Sequence, residues 1–149
     1  MVTAVGTESN LVDLFNDLVR LDYDAIAAYQ AAVDRLDNPD YPRTLRSFRD
    51  DHERHTRDLK PFVRELGGDP PNEAGPKSLL TSGKVAIAGL VGDKAILRAM
   101  LSNEEDTNTA YERATRHDGL TASMKRVLEA NLKDERRHRD WIESTLENM

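Results

Sequence analysis

The chain has 149 residues, a length that suits one domain with a buried core rather than two domains. Hydrophobic residues make up 38%, aromatic residues only 5% and charged residues 32%, which favours amphipathic helices over a sheet and predicts an all-α fold. The net charge of −6 without a dense basic stretch argues against nucleic-acid binding, and the absence of cysteine excludes disulfides, thiolate metal ligands and iron–sulfur clusters.

The first helix is predicted over about residues 10–37. Ser9 or Asn10 is a suitable N-cap at its start. Apolar or small residues recur along this segment at heptad spacing, as expected of one buried face. These residues are Leu11, Phe15, Leu18, Ala25, Tyr29, Ala32 and Leu36.

The second helix is predicted over about residues 42–67, between the prolines of residues 39–42 and Gly67-Gly68. Pro61 lies inside the pattern and predicts a kink in the last turns, because proline removes a backbone hydrogen bond. The apolar positions of this helix are Leu45, Phe48, Leu59, Phe62 and Leu66.

A segment of about residues 68–92 follows, and it is too long for a hairpin turn. Its apolar part, from Leu79 to Leu90, predicts either a short helix or an extended strap that covers the core. Two more helices are predicted over about residues 93–116 and 121–147, the last of them capped by Thr121 or Ser123. Short loops within each pair of helices and a long link between the pairs predict one domain over residues 1–149, with two antiparallel pairs joined by a crossover.

Polar residues interrupt the apolar seam of every predicted long helix. At about 1.5 Å per residue from each loop, the interruptions within each helix pair lie level to within about one turn. Burying several carboxylates together is costly unless cations lie among them. We therefore predict that the interrupting residues bind metal ions. They are Asp22, His52, His55, Glu104, Glu135 and His138.

The two halves of the chain also resemble each other. Asp22 stands seven residues before Tyr29, as Glu104 stands seven residues before Tyr111. Residues 51–55, DHERH, align in the same way with residues 134–138, DERRH. A two-fold arrangement of the helix pairs would place these equivalent residues around one centre.

This pattern resembles that of the ferritin-like superfamily of di-iron carboxylate proteins, which includes ferritins, bacterioferritins and rubrerythrins. In that pattern two helices each provide one Glu and the other two each provide a Glu-x-x-His pair. Glu135-x-x-His138 and Glu104 match it, and Asp22 matches with a shorter side chain. His52 departs from it, because it stands where a bridging Glu would be. The alternatives for such a site are two unequal metals or a single one.

The resemblance implies a ferritin-like four-helix bundle that binds metal ions, with di-iron-type oxygen, peroxide or iron-oxidation chemistry. Iron is the expected metal, and the nitrogen and oxygen ligands also suit zinc or manganese. By the same analogy, Asp134 supports His55, Asp51 supports His138, and the two tyrosines of the repeat lie near the site. No catalytic residue is assigned.

Other features narrow the class of protein. The chain has no cysteine-rich module, which excludes a rubrerythrin with its own electron-transfer iron site. No further short helix is predicted after residue 147, so we expect a small oligomer, a homodimer, rather than a storage cage. Residues 1–10 lack a signal-peptide pattern and no apolar run has the length of a membrane span, so we expect a cytoplasmic protein. The alternative function is a non-catalytic helical bundle, a stress or partner-binding protein, whose polar core residues form a hydrogen-bonded network without metal.

Overall fold

The computed structural model describes residues 2–149, which form five α-helices and no β-strand. Four helices are long: α1 (Leu11–Arg35), α2 (Tyr41–Glu65), α4 (Asp93–Thr115) and α5 (Ala122–Glu147). The remaining helix, α3 (Lys84–Ala88), is short and lies within the long link between α2 and α4. The prediction of an all-α fold is confirmed.

Side-chain caps set the starts of two long helices. The Asn10 side chain accepts hydrogen bonds from the backbone N–H groups of Val12 and Asp13 at the start of α1. Thr121 accepts one from the N–H of Met124 at the start of α5. These N–H groups have no partner within their own helix, so each cap stabilises the first turn.

The end of α2 depends on glycine rather than on its internal proline. The helix continues past Pro61 to Glu65. Gly67 then takes the left-handed conformation, with φ of 83°, and the N–H of Gly68 donates to the carbonyl of Val63 at 2.9 Å. Glycine reaches this conformation without the steric cost that a Cβ would add, and it is the usual residue after a helix end.

The link between α2 and α4 is bound to the bundle at its apolar and polar residues. α3 packs against α1, and Ile87 is completely buried. The side chain of Asp106 in α4 accepts hydrogen bonds from the N–H and the hydroxyl of Thr81, at 2.6 and 2.7 Å. Asn103, one turn earlier, pairs with the backbone of Ser82. Of the two structures predicted for this segment, a short helix is the one that forms.

The long helices pack into a bundle. α1 packs most extensively against α2, and α4 against α5, while further contacts join α1 to α4 and α2 to α5. Buried apolar side chains such as Leu18, Leu59, Met100 and Leu128 form a continuous core. Within residues 2–149, no helix is both long and apolar enough to cross a bilayer.

Candidate metal centre

The structure brings together all six residues predicted as metal ligands, and each is at most 1% exposed. They form two overlapping groups, and within each group the ligand atoms lie within 4.8 Å of one another. We call these groups subsite A and subsite B. Subsite A consists of Asp22, His52, His55 and Glu135, and subsite B of His52, Glu104, Glu135 and His138. His52 and Glu135 therefore belong to both.

In subsite A the polar atoms are close. The Asp22 Oδ1 atom lies 2.6 Å from His52 Nδ1 and 3.1 Å from His55 Nδ1. The Glu135 Oε1 atom lies 3.5 Å from His52 Nδ1 and 3.3 Å from His55 Nδ1. Each of the two carboxylates therefore lies close to both imidazoles of this subsite.

In subsite B the corresponding atoms are further apart. The Glu104 Oε1 atom lies 3.7 Å from His52 Nε2 and 3.6 Å from His138 Nδ1. The Glu135 Oε2 atom lies 3.7 Å from the same His138 nitrogen. These separations exceed hydrogen-bond length, so the ligand atoms of subsite B surround a point without bonding to one another.

Several buried ligand atoms have no hydrogen-bond partner among the residues that the structure describes. They are both carboxylate oxygens of Glu135, Nε2 of His52 and Nδ1 of His138. A buried polar group left unpaired costs about 1–3 kcal/mol, and more when it is charged, so native interiors seldom contain them. Four such atoms meet here, on residues that are the usual ligands of divalent metals, and a cation bound among them would satisfy all four. The residues therefore fit a metal centre.

A pair of outer carboxylates orients two of the histidines. The His55 Nε2 atom lies 2.9 Å from Asp134 Oδ2, and the His138 Nε2 atom lies 2.7 Å from Asp51 Oδ2. Because each Nε2–H donates to an aspartate, Nδ1 is the ring nitrogen of His55 and of His138 that faces the centre. The contacts are reciprocal, since Asp51 of α2 supports a histidine of α5 and Asp134 of α5 supports one of α2. Both contacts predicted from the family resemblance are confirmed.

Two arginines that sequence reasoning missed connect these aspartates. Arg137 donates to Asp51 Oδ2 at 2.7 Å and to Asp134 Oδ1 at 3.1 Å. Arg54 donates to Asp51 Oδ1 at 3.2 Å and also to Asp134 Oδ2. The signal was present in the sequence, because the spacing Asp-x-x-Arg-His occurs both at residues 51–55 and at residues 134–138.

The same contacts explain the acidity of the outer aspartates. Burial alone would raise the pKa of Asp51, but hydrogen bonds from His138 and Arg137 outweigh it and hold this pKa well below its usual value. Burial would also raise the pKa of Asp134, but hydrogen bonds from His55 and Arg137 outweigh it, so this pKa is lowered as well. Both carboxylates are therefore ionised at neutral pH and act as hydrogen-bond acceptors for the imidazoles.

Two buried tyrosines fix the inner carboxylates. Tyr111 donates its hydroxyl hydrogen to Asp22 Oδ2 at 2.5 Å, and Tyr29 donates to Glu104 Oε1. Burial and the neighbouring carboxylates raise the pKa of both tyrosines well above the usual value, so they remain protonated donors. Thr107 adds a hydrogen bond to the other oxygen of Glu104 at 3.1 Å. The expected position of the tyrosines beside the site is confirmed.

Charges within the cluster compensate one another. Burial would lower the pKa of His52, but Glu135 and Asp22 raise it to about 9. Burial would also lower the pKa values of His55 and His138. Asp22 raises the pKa of His55, and Glu104 raises that of His138, both well above the usual value. Without metal, these three histidines are therefore imidazolium groups at neutral pH.

The inner carboxylates respond in the opposite sense. Burial would raise the pKa of Asp22, but His55 and His52 lower it. Burial would likewise raise the pKa of Glu104, but His138 and His52 lower it well below its usual value. Protons and metal ions therefore compete for the same histidine nitrogens.

Comparison with known proteins gives a structural relative and a family. A crystal structure of a conserved hypothetical protein, rv2844, from Mycobacterium tuberculosis is similar, with a TM-score of 0.78 over 98% of this chain and 95% of that one. Only 15% of residues are identical, so the likeness shows the fold alone. No curated protein matches the chain. A family model matches residues 10–117, which include α1 to α4, and the chain belongs to that family, described as "Domain of unknown function (DUF2383)".

Proposed function

We propose that this protein binds two metal ions in subsites A and B, within a ferritin-like arrangement of its four long helices. In that arrangement α1 with α2, and α4 with α5, form two antiparallel pairs, and the long link that contains α3 is the crossover. The short connections within each pair and the long one between pairs support it.

The four unpartnered buried atoms carry the proposal. A hydrogen-bonded core network would be expected to pair its polar atoms, whereas a metal centre leaves ligand atoms free for the ion. Here the free atoms are Glu135 Oε1 and Oε2, His52 Nε2 and His138 Nδ1, and each belongs to a residue of subsite A, of subsite B or of both.

The ligands of the two subsites are equivalent. Asp22 and His55 belong to subsite A alone, Glu104 and His138 to subsite B alone, and Glu135 offers one oxygen to each. With His52, each subsite has two imidazoles and two carboxylates. Such a mixed set suits iron, zinc and manganese, and we propose iron, because the residue pattern resembles that of di-iron proteins.

Iron bound at this centre would supply redox chemistry toward oxygen or peroxide, or would itself be the substrate of oxidation. The protein residues would orient and shelter the centre. Phe48 stacks on the His138 ring with centroids 4.2 Å apart, and it excludes water from that side. Tyr29 and Tyr111 hold the carboxylates of Glu104 and Asp22 by donating hydrogen bonds.

The alternative function is a metal-free bundle whose polar core gives specificity to helix packing or to binding of a partner. The hydrogen bond of 2.6 Å between His52 and Asp22, and the compensated charges of the cluster, favour it. It leaves both buried oxygens of Glu135 without a hydrogen-bond donor among the residues that the structure describes.

Metal analysis separates the two functions. The full chain would be purified without added metal, analysed for its metal content, stripped with chelator and titrated anaerobically with ferrous iron. We expect two equivalents to bind tightly, and we expect the double variant His55→Ala/His138→Ala to bind none. The matched control is His117→Ala, because His117 is only partly buried and lies outside the cluster, where its ring contacts the backbone of Ser9. A wild-type chain that binds no stoichiometric metal, or a double variant that binds as well as the control, would refute the proposal.

A second measurement tests the redox part of the proposal. The iron-loaded protein would be exposed to air while its absorption spectrum is recorded. We expect a spectral change that the zinc-loaded protein does not show. An iron-loaded centre whose spectrum is unchanged in air would leave metal binding intact and refute the oxygen chemistry.

A further inference from the structure

We infer that His52 bridges the two metal ions, with Nδ1 as a ligand in subsite A and Nε2 as a ligand in subsite B. The inference rests on the proposed metal binding and goes beyond it, because it assigns a role to the one residue that replaces a Glu in the ferritin-like pattern.

The two nitrogens of His52 face different subsites. Nδ1 lies 2.6 Å from Asp22 Oδ1 and 3.5 Å from Glu135 Oε1, which are subsite A atoms. Nε2 lies 3.7 Å from Glu104 Oε1, a subsite B atom, and has no hydrogen bond to any residue of the described chain. Glu135 is divided in the same way, since Oε1 faces His55 and Oε2 faces His138. His52 and Glu135 therefore lie between the subsites as a pair.

The other two histidines of the cluster lack this freedom. The Nε2 atoms of His55 and His138 are bound to Asp134 and Asp51 outside the centre, so each ring has one nitrogen left for a metal. The charged contacts of His52 are instead all to inner carboxylates of the cluster, those of Asp22, Glu104 and Glu135. Among these three histidines, only His52 can therefore present both nitrogens to metal ions.

Charge balance supports a bridging role. A neutral imidazole carries one N–H, so its free nitrogen can ligate one metal ion as it stands. The second ion takes the place of the remaining N–H proton, which leaves to solvent, and His52 becomes an anionic imidazolate. The carboxylates of Asp22, Glu104 and Glu135 carry three negative charges, and the imidazolate adds a fourth. Two divalent cations are thereby neutralised in a site from which water is excluded, as four glutamates would neutralise them in the ferritin-like pattern.

Nitrogen NMR of the histidines tests the inference directly. The full chain, labelled with ¹⁵N-histidine and freed of metal, would be titrated with zinc chloride, and signals would be assigned with single His→Gln variants. At two equivalents we expect both nitrogens of His52 to take metal-bound shifts with no N–H remaining. His55 and His138 should shift at Nδ1 alone and keep the N–H on Nε2. His117, which lies outside the cluster, is the internal control and should not shift.

The outcomes separate this inference from the proposed function. If His52 keeps an N–H proton when the protein is saturated, or if saturation is reached at one equivalent, zinc binding stands and the bridge is refuted. If none of the three buried histidines responds to zinc, the proposed function itself fails.

Calorimetry provides an independent test with variants. His52→Gln should weaken both zinc-binding events by at least about tenfold, whereas His138→Gln should weaken only one of them by a comparable factor. Circular dichroism would establish that both variants are folded. A His52→Gln protein in which only one binding event is weakened would contradict the bridge.

Discussion

Raising the pH of the metal-free protein from 6.5 to about 9 is expected to lower its free energy of unfolding. In the folded state the pKa of His52 is about 9, above its usual value of 6.5, so the native state binds the proton more tightly than the unfolded chain does. The stability that comes from such a group is fully present below the unfolded-state pKa and is lost as the pH rises through the folded-state pKa. Metal must be absent, because bound metal would displace these protons.

The buried carboxylates affect the free energy of unfolding in a different pH range. Asp22 and Glu104 have pKa values below their usual values of 3.8 and 4.5. Their stabilisation is present above those unfolded-state values and is lost as the pH falls through the lower folded-state values. They therefore add no slope above pH 6.5, where the histidines set the sign. Glu8, whose pKa burial raises to about 7, acts in the same direction.

The size of the effect follows from the pKa of His52. The difference between 6.5 and about 9, at 1.36 kcal/mol for each pKa unit, corresponds to about 3 kcal/mol. His52 is completely buried, so solvent does not screen the interaction. The pKa values of His55 and His138 are raised in the same direction and increase the total, although residues of one network do not contribute additively. Because domains are stable by about 5–15 kcal/mol, the loss is a large fraction of the whole.

Denaturation with guanidinium chloride in the presence of chelator measures this dependence. Trp141, the single tryptophan, lies with its ring 5.8 Å from that of Phe48 and reports on unfolding by fluorescence. His52→Gln should reduce the slope of stability against pH, while His117→Gln, at the histidine outside the cluster, is the matched control. A free energy of unfolding that is constant or rises over this interval would show that the buried histidines are not stabilised as cations.

Three further outcomes are expected. Zinc at a hundred times its dissociation constant should add about 2.7 kcal/mol of stability per site, measured by thermal unfolding, and His55→Ala/His138→Ala should abolish the gain. Asp51→Asn should weaken zinc binding by about 10–100-fold in calorimetry, because His138 loses its charged acceptor; unchanged affinity would argue against that support. Leu18→Ala, at a completely buried core position, should cost about 2–5 kcal/mol in denaturation without changing the metal stoichiometry, and a loss of metal would show that the core and the site are coupled.

The apolar periodicity of the sequence was sufficient to locate the long helices. α1 was predicted over about residues 10–37 and extends over Leu11–Arg35, because a repeat of 3.6 residues is a local property. The long link was harder, since its apolar residues suit either a helix or a strap. Contacts distant in sequence determine its structure, such as those of Asp106 with Thr81 and of α3 with α1.

The sequence also located the inner residues of the candidate centre. A polar residue on an apolar seam is visible in the sequence, and the six interruptions are the six residues that meet in the core. The arginines were missed, because Arg54 and Arg137 have side chains 43% and 53% exposed and resemble ordinary surface residues of a helix. Their repeated spacing from an aspartate and a histidine was the one sign of their role.

Spacing along each helix is therefore enough to predict which residues share a buried face. Which of their atoms meet depends on how the helices pack against one another. His55 and His138 each direct Nδ1 to the centre because aspartates on the opposite helix hold their Nε2 atoms, whereas His52 has both nitrogens among the inner ligands. Ring orientation of this kind depends on side chains from other helices, so no pattern within one helix could reveal it.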